Sequence, residues 1–138
     1  MSTLAPSRTF KSAHCTFTIQ RPATGVVHAI IEGHDVGEFG DAPFRELDAD
    51  VEHGAPLEFF IDARGVPAAS LEVSADWARW MTIHRERIQR LSILCGSRFV
   101  ELTASFVQKF TQFGSRMRIY TEADAFEEAL RVAVGDAE

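Results

Sequence analysis

From His14 to Gln20 the apolar residues Cys15, Phe17 and Ile19 alternate with Thr16 and Thr18, the period-two pattern of a half-buried strand. RPATG turns the chain, and VVHAIIEG predicts a second strand from Val26 to Glu32, so the pair reads as an opening hairpin. After the loop GHDVGEFGDA, Asp41 stands where a helix cap belongs and Pro43 falls in the first turn. Phe44, Leu47 and Val51 then supply an inner helical face, and Gly54 is the expected stop. LEFFIDARG is a third strand, whose near-continuous apolar run predicts a central strand covered on both faces or one shielded by a dimer.

A helix follows through WARWMTIHRERIQR. At about 100° per residue, Trp77, Trp80, Met81, His84 and Ile88 share one face of it, with Arg79, Glu86 and Arg90 opposite. LSILCG is a fourth strand, and Ser97 can cap a helix that runs to about Phe113. Phe99, Leu102, Phe106, Phe110 and Phe113 are expected as its inner stripe, widened by Val100 and Val107 to an apolar arc of roughly 160°. That arc exceeds what one sheet contact needs, so a hydrophobic groove or a dimer face is a second reading. MRIYT is the fifth strand, and Thr121 opens a last helix with Phe126, Ala129, Leu130 and Ala133 inward. The order β-β-α-β-α-β-α-β-α predicts an α/β layered domain with a mostly parallel central sheet covered by helices.

Length and composition agree with this picture. The chain has 138 residues, 46% hydrophobic and 25% charged, an ordinary balance for one globular domain. Residues 1–12 read as a flexible N-terminal tail and 13–138 as the domain. No stretch approaches the roughly 20 apolar residues of a membrane helix, so no transmembrane segment is expected. The N-terminus also lacks the apolar core of a secretory signal. Cys15 and Cys95 lie in strand-like runs without a CxxC spacing and read as small buried hydrophobes in a reducing cytoplasm.

The net charge of −6 argues against nucleic acid as a partner. The charge is unevenly placed: residues 1–31 carry +3, 32–76 carry −10, 77–118 carry +6 and 119–138 carry −5. Arg79, Arg85, Arg87 and Arg90 form a candidate basic surface for an acidic partner, a phosphoinositide-like head group or the acidic half of a second copy, against the plainer reading of a solvated helix face.

Gly33 closing the second strand and FIDARGV (Phe60 to Val66) forming the third resemble a STAS domain, the fold of bacterial anti-sigma-factor antagonists and of transporter cytoplasmic tails. The resemblance covers roughly residues 14–134. Asp62, Gly65 and Val66 fit the first half of the family's pattern. The second half departs from it: the Asp-Ser-Ser-Gly positions fall on Ser70, Leu71, Glu72 and Val73, so the phosphorylated hydroxyl of the family lands on Glu72. STAS-like and CRAL-TRIO-like bacterial proteins that lack the phosphosite are the nearer likeness. The resemblance implies a regulatory protein-binding module, not an enzyme.

The loop ARGVPAASLEVSAD stands where strand C-termini meet helix N-termini, the usual place for a site in an α/β sheet. Asp62, Gly65, Ser70, Glu72, Ser74 and Asp76 are therefore the candidate partner-binding residues, with Ser70 and Ser74 as helix caps or candidate phosphoacceptors. Asp62 either binds a ligand or accepts the turn N–H groups of Arg64 and Gly65. Glu72 is a solvated first-turn carboxylate or a fixed stand-in for phosphate. His84, on the apolar helix face, reads as a buried hydrogen-bonded ring, and His14, His28, His34 and His53 share no ligand spacing. No cofactor, metal site or nucleophile–base set is expected. The leading expectation is a protein partner. Its alternatives are a small apolar-ligand or lipid carrier with a pocket near Trp77, Trp80, Phe106 and Phe110, and a self-associating structural protein, with a homodimer as one form of it.

Overall fold

The computed structural model describes residues 6–52, 56–68 and 70–137. Six strands form one sheet in sequence order: β1 (Arg8–Lys11), β2 (Cys15–Ala23), β3 (Val26–Gly33), β4 (Leu57–Gly65), β5 (Ile88–Cys95) and β6 (Met117–Tyr120). The first two pairings are antiparallel and the last three parallel. The helices are α1 (Ala42–Glu52), α2 (Leu71–Ile83), α3 (Arg98–Thr111) and α4 (Ala123–Ala137). This is the expected mixed α/β architecture, with one strand added in front.

That added strand corrects the reading of residues 1–12 as a loose tail. Arg8–Lys11 pairs with β2, and Phe10, opposite Phe17, packs its ring against Phe17 and Phe39. Gly54 and His53 lie outside the described residues.

Strand alternation divides the core in two. On one face Phe17, Ile19, Phe59, Ile61 and Leu91 meet Leu47 and Val51 of α1, Ala78, Trp80 and Met81 of α2, and Val100, Ala104 and Val107 of α3. On the other, Val26, Phe60 and Leu94 meet Phe126 and Ala133 of α4. β4 is buried on both faces, as its unbroken apolar run requires. Arg21, whose guanidinium is almost wholly buried, ties α1 to the sheet with 2.9 Å contacts to Glu46 and Asp50. The pair with Asp50 raises its pKa above the ordinary arginine value.

The helix expected through Arg90 ends early. α2 stops at Ile83, a 3-10 turn spans Arg85–Arg87, and Ile88 is already the first residue of β5, opposite Leu57. The apolar spacing that seemed to carry Ile88 on the helix instead delivers it to the core from the strand.

The larger correction concerns α3. Its buried residues are Val100, Ala104, Val107 and Thr111. Phe99, Leu102, Phe106 and Phe110, expected as the inner stripe, face outward and are 55%, 60%, 65% and 58% exposed. Val100 and Val107, which widen the expected arc, are buried as expected, and so is Phe113 just beyond the helix.

Candidate functional site

β4 and β5 end side by side, and α2 and α3 begin there. Ser97 caps α3, accepting the Val100 N–H at 3.2 Å, and its hydroxyl donates to the Pro67 carbonyl at 3.1 Å. One side chain thus starts a helix and fixes the loop that leads to the other. Gly96 lets the two loops touch, because a Cβ there would stand 2.0 Å from the Arg64 carbonyl oxygen. The sequence reading missed this residue. Glycine at a strand end signals a stop, whereas the close approach is visible only in three dimensions.

α2 is capped by Ser70, whose hydroxyl accepts the Val73 N–H at 3.1 Å, and the Ser74 hydroxyl donates to the Ser70 carbonyl at 3.0 Å. Both candidate phosphoacceptors are therefore held in the first turn, half-buried. Glu72 is exposed beside them, and Asp76 accepts from Arg79 at 3.1 Å. The helix start falls at Ser70, two residues before the position that counting along the family pattern assigns to the hydroxyl. Gly65 is exposed at the end of β4.

Asp62 is buried on the α4 side of the sheet. Its carboxylate accepts the Arg64 backbone N–H at 3.1 Å and the Arg64 guanidinium at 2.9–3.1 Å, and Arg64 reaches on to Glu127 of α4 at 2.9 Å. The turn reading of Asp62 is thus satisfied through Arg64, and the two carboxylates raise the Arg64 pKa further.

The four arginines of the candidate basic surface sit on three different elements. Arg79 lies on α2. Arg85 and Arg87 lie in the 3-10 turn, where Arg85 donates to the Thr111 carbonyl at the end of α3. Arg90 lies on β5, 3.5 Å from Glu58 on the α4 face. Helix, turn and strand point these groups in different directions. His84 ends α2 as its C-cap, with Nε2 3.2 Å from Asp48, and Asp48 also accepts the Trp80 indole N–H at 2.9 Å. Cys95, at the far end of β5 and roughly 23 Å of strand away, has its thiol pushed up to about 11 by burial. Cys15 is likewise buried and raised to about 11.

What the strand ends do assemble is a surface. The α2 N-terminus, with Leu71 fully in solvent, adjoins α3, whose outer face carries Phe99, Leu102, Phe106 and Phe110. The Phe106 and Phe110 rings stack with centroids 6.2 Å apart. Arg98 and Lys109 flank them, exposed and without an ion-pair partner among the described residues. Between α2 and α3 runs an apolar cavity of about 100 Å³ lined by Trp77, Met81, Val100, Thr103, Ala104 and Val107. Of the residues expected around a carrier pocket only Trp77 lines it, since Trp80 is directed to Asp48 and the two phenylalanines lie outside.

Among the described residues, no group of three or more His, Cys, Asp or Glu is placed to hold a metal ion. No helix among them is long and apolar enough to cross a membrane.

Solved structures match this architecture, and two of them illustrate the likeness. One is an anti-sigma factor antagonist from Mycobacterium paratuberculosis, with a TM-score of 0.57 and 14% identity over 85% of this chain and 94% of that one. The other is an uncharacterized protein of the DUF3478 family with a SpoIIAA-like fold from Shewanella loihica, with a TM-score of 0.60 and 14% identity over 88% of this chain and 98% of that one. No family model and no curated protein matches the sequence. The chain has a STAS-like, SpoIIAA-like fold.

Proposed function

We propose that this chain is a non-enzymatic regulatory module of the cytoplasm that docks a protein partner through the α2 N-terminus and the outer face of α3. The observation that carries this reading is the run of four large apolar side chains, each more than half exposed, along one side of α3. Contiguous exposed apolar surface rimmed by polar groups is characteristic of interaction sites, and aromatic residues are enriched at interface centres. The fold shared with an anti-sigma factor antagonist supports the same reading. Asp62 holds the β4–α2 loop through Arg64. Gly65 passes close beside Glu32, where a Cβ would meet the Glu32 side chain at 3.2 Å, and Ser70, Glu72, Ser74 and Asp76 form the polar rim, with Ser70 and Ser74 as sites where phosphate would add charge beside the apolar centre.

The test is a pull-down from the host with three baits: the native chain, Phe106→Asp/Phe110→Asp, and Val132→Asp on α4. The native chain and the α4 variant should retain the same partner and the α3 variant should lose it. Equal capture by all three removes the α3 face from the reading. A second copy is the competing occupant, and sedimentation of the native and α3 variants at several concentrations separates it: a dimer abolished by the α3 substitutions replaces the heterologous partner with a homodimer.

The cavity favours one alternative, a carrier of a small apolar molecule. Its 100 Å³ is somewhat smaller than the roughly 150 Å³ engineered cavity that admits benzene, so it suits a ligand of few carbons. Native mass spectrometry of the freshly purified protein would show the added mass, and a bare chain would count against this alternative.

A further inference from the structure

On the opposite face of the sheet the structure contains a second, larger opening. Phe126 fills the gap between sheet and α4 at one end, with its ring centroid 5.8 Å from those of both Phe60 and Tyr120. Three and seven residues further along α4 the facing side chains are the small Ala129 and Ala133, which pack against the Phe60 cluster and line the opening beside it. The space left under the C-terminal half of α4 is a cleft of about 940 Å³, at the upper end of the range for small-molecule sites.

Its lining has a consistent chemistry. The floor is Phe60 and Tyr120, with the Ser92 side chain between Phe60 and Arg118 in the strand register. Three arginines line it, Arg116 with its guanidinium over the Phe113 ring. Arg90 stands 3.5 Å from Glu58, and Arg116 is held by the carbonyls of Ile88 and Arg85 at 2.8 and 3.1 Å. Arg118 lies 5.2 Å over the Tyr120 ring and has no carboxylate partner among the described residues. Against these stand two carboxylates, Glu58, already beside Arg90, and Asp136 at the α4 end. Positive charge is therefore in excess at the edge of an apolar floor, in a protein whose net charge is −6. Arginine favours phosphate and carboxylate because its planar fork matches their oxygens.

We propose that this cleft binds a small organic anion, with a phosphate or carboxylate head at Arg118 and Arg90 and an apolar body over Tyr120 and under Ala133 and Val132. The site lies across the sheet from the docking surface and does not depend on it.

The experiment is an amide-shift NMR titration of the full chain with 1-naphthyl phosphate, 1-naphthol and inorganic phosphate as separate probes. The ester should give saturable shifts centred on Ser92, Arg118 and Ala133, and should bind at least tenfold more tightly than either fragment. Arg118→Glu should weaken it at least tenfold. Arg45→Glu, an identical change in net charge on exposed α1, should leave it within twofold. Arg118 and Arg45 are both exposed, so neither variant threatens the fold. Shifts centred on the α2–α3 cavity, an absence of saturation, inorganic phosphate binding as tightly as the ester, or equal weakening by the two variants would each overturn the proposal.

Discussion

α3 and α4 are both amphipathic helices laid on the same sheet, yet they distribute their large side chains in opposite ways. In α4 the largest residue, Phe126, is fully buried and the outer positions carry Asp124, Glu127, Glu128 and Arg131. In α3 the buried positions are small or medium, Val100, Ala104, Val107 and Thr111, and the four large residues point out. α4 has one sheet face to itself. α3 shares its side with α1 and α2, and Ala104, packed between sheet and α2, allows the close approach that a phenylalanine would prevent. Leaving a Phe or Leu in water forgoes about 1.5–3 kcal/mol of burial per residue. An arrangement that does so four times on one helix face is what a partner surface requires and what a solitary domain avoids.

The sharpest way to break this contrast is to truncate the buried aromatic. Phe126→Ala should lower unfolding free energy by about 3–5 kcal/mol, the range for emptying a phenylalanine site in a packed core. Urea denaturation followed by Trp fluorescence measures it. A loss under 1 kcal/mol would mean that α4 is not anchored through this ring, and the two helices would then differ less than their burial indicates.

Ser70→Ala should cost about 1 kcal/mol, because the Val73 N–H loses its acceptor at the start of α2. Ser70→Asp should restore most of that stability, since aspartate caps as well as serine. If Ser70→Ala is silent, water replaces the hydroxyl at no cost and the α2 end of the proposed docking surface is looser than α3.

These two residues also show what could be read without coordinates. Ser70 and Ser97 were recognisable as caps because a cap is local: the acceptor and the N–H it serves lie three residues apart. The β4 run was recognisable because burial on both faces leaves nearly every position apolar. Arg8–Lys11 was not, since RTFK has no alternation of its own and becomes a strand only by pairing with β2. The end of α2 was hidden because residues 84–87 contain no Gly or Pro and the apolar spacing continues to Ile88. The orientation of α3 was hidden for a deeper reason. An apolar arc of roughly 160° contains both the buried and the exposed stripes, and the crowding that chooses between them comes from α2. Asp62 was correctly suspected of serving a turn, but Glu127, the far end of its ion network, is 63 positions from Arg64.

His28, under α4, gives a smaller effect that appears only in acid. Its Nε2 is buried without a hydrogen-bond partner among the described residues, and its pKa is lowered, chiefly by desolvation, with Asp62 opposing the shift and Arg64 adding to it. The folded chain thus holds the ring neutral where the unfolded chain accepts a proton, from about pH 6.5 downward. This contribution is complete above that pH and is lost as pH falls toward the lowered folded value. His28→Leu should therefore show a shallower drop in urea midpoint between pH 7 and pH 5 than the native chain. Parallel drops would mean that the ring is solvated in the folded state.

The smallest expected effect tests α3 itself. Phe106→Ala should change unfolding free energy by no more than about 0.5 kcal/mol, the usual range for a surface position, even though it removes the same ring that costs several kcal/mol under α4. The stacked contact with Phe110 is the one term that pulls the other way, and an exposed pair of this kind sits at the low end of the aromatic-pair range, about 0.5 kcal/mol. Measuring Phe106→Ala, Phe110→Ala and the double variant by urea denaturation isolates that coupling. If both singles and the double fall within experimental error of the native chain, the aromatic stripe adds nothing to the stability of the free protein. Its side chains must then be explained by what covers them. A loss of 2 kcal/mol or more at Phe106 would place the ring in the core after all, and the distinction between α3 and α4 would disappear.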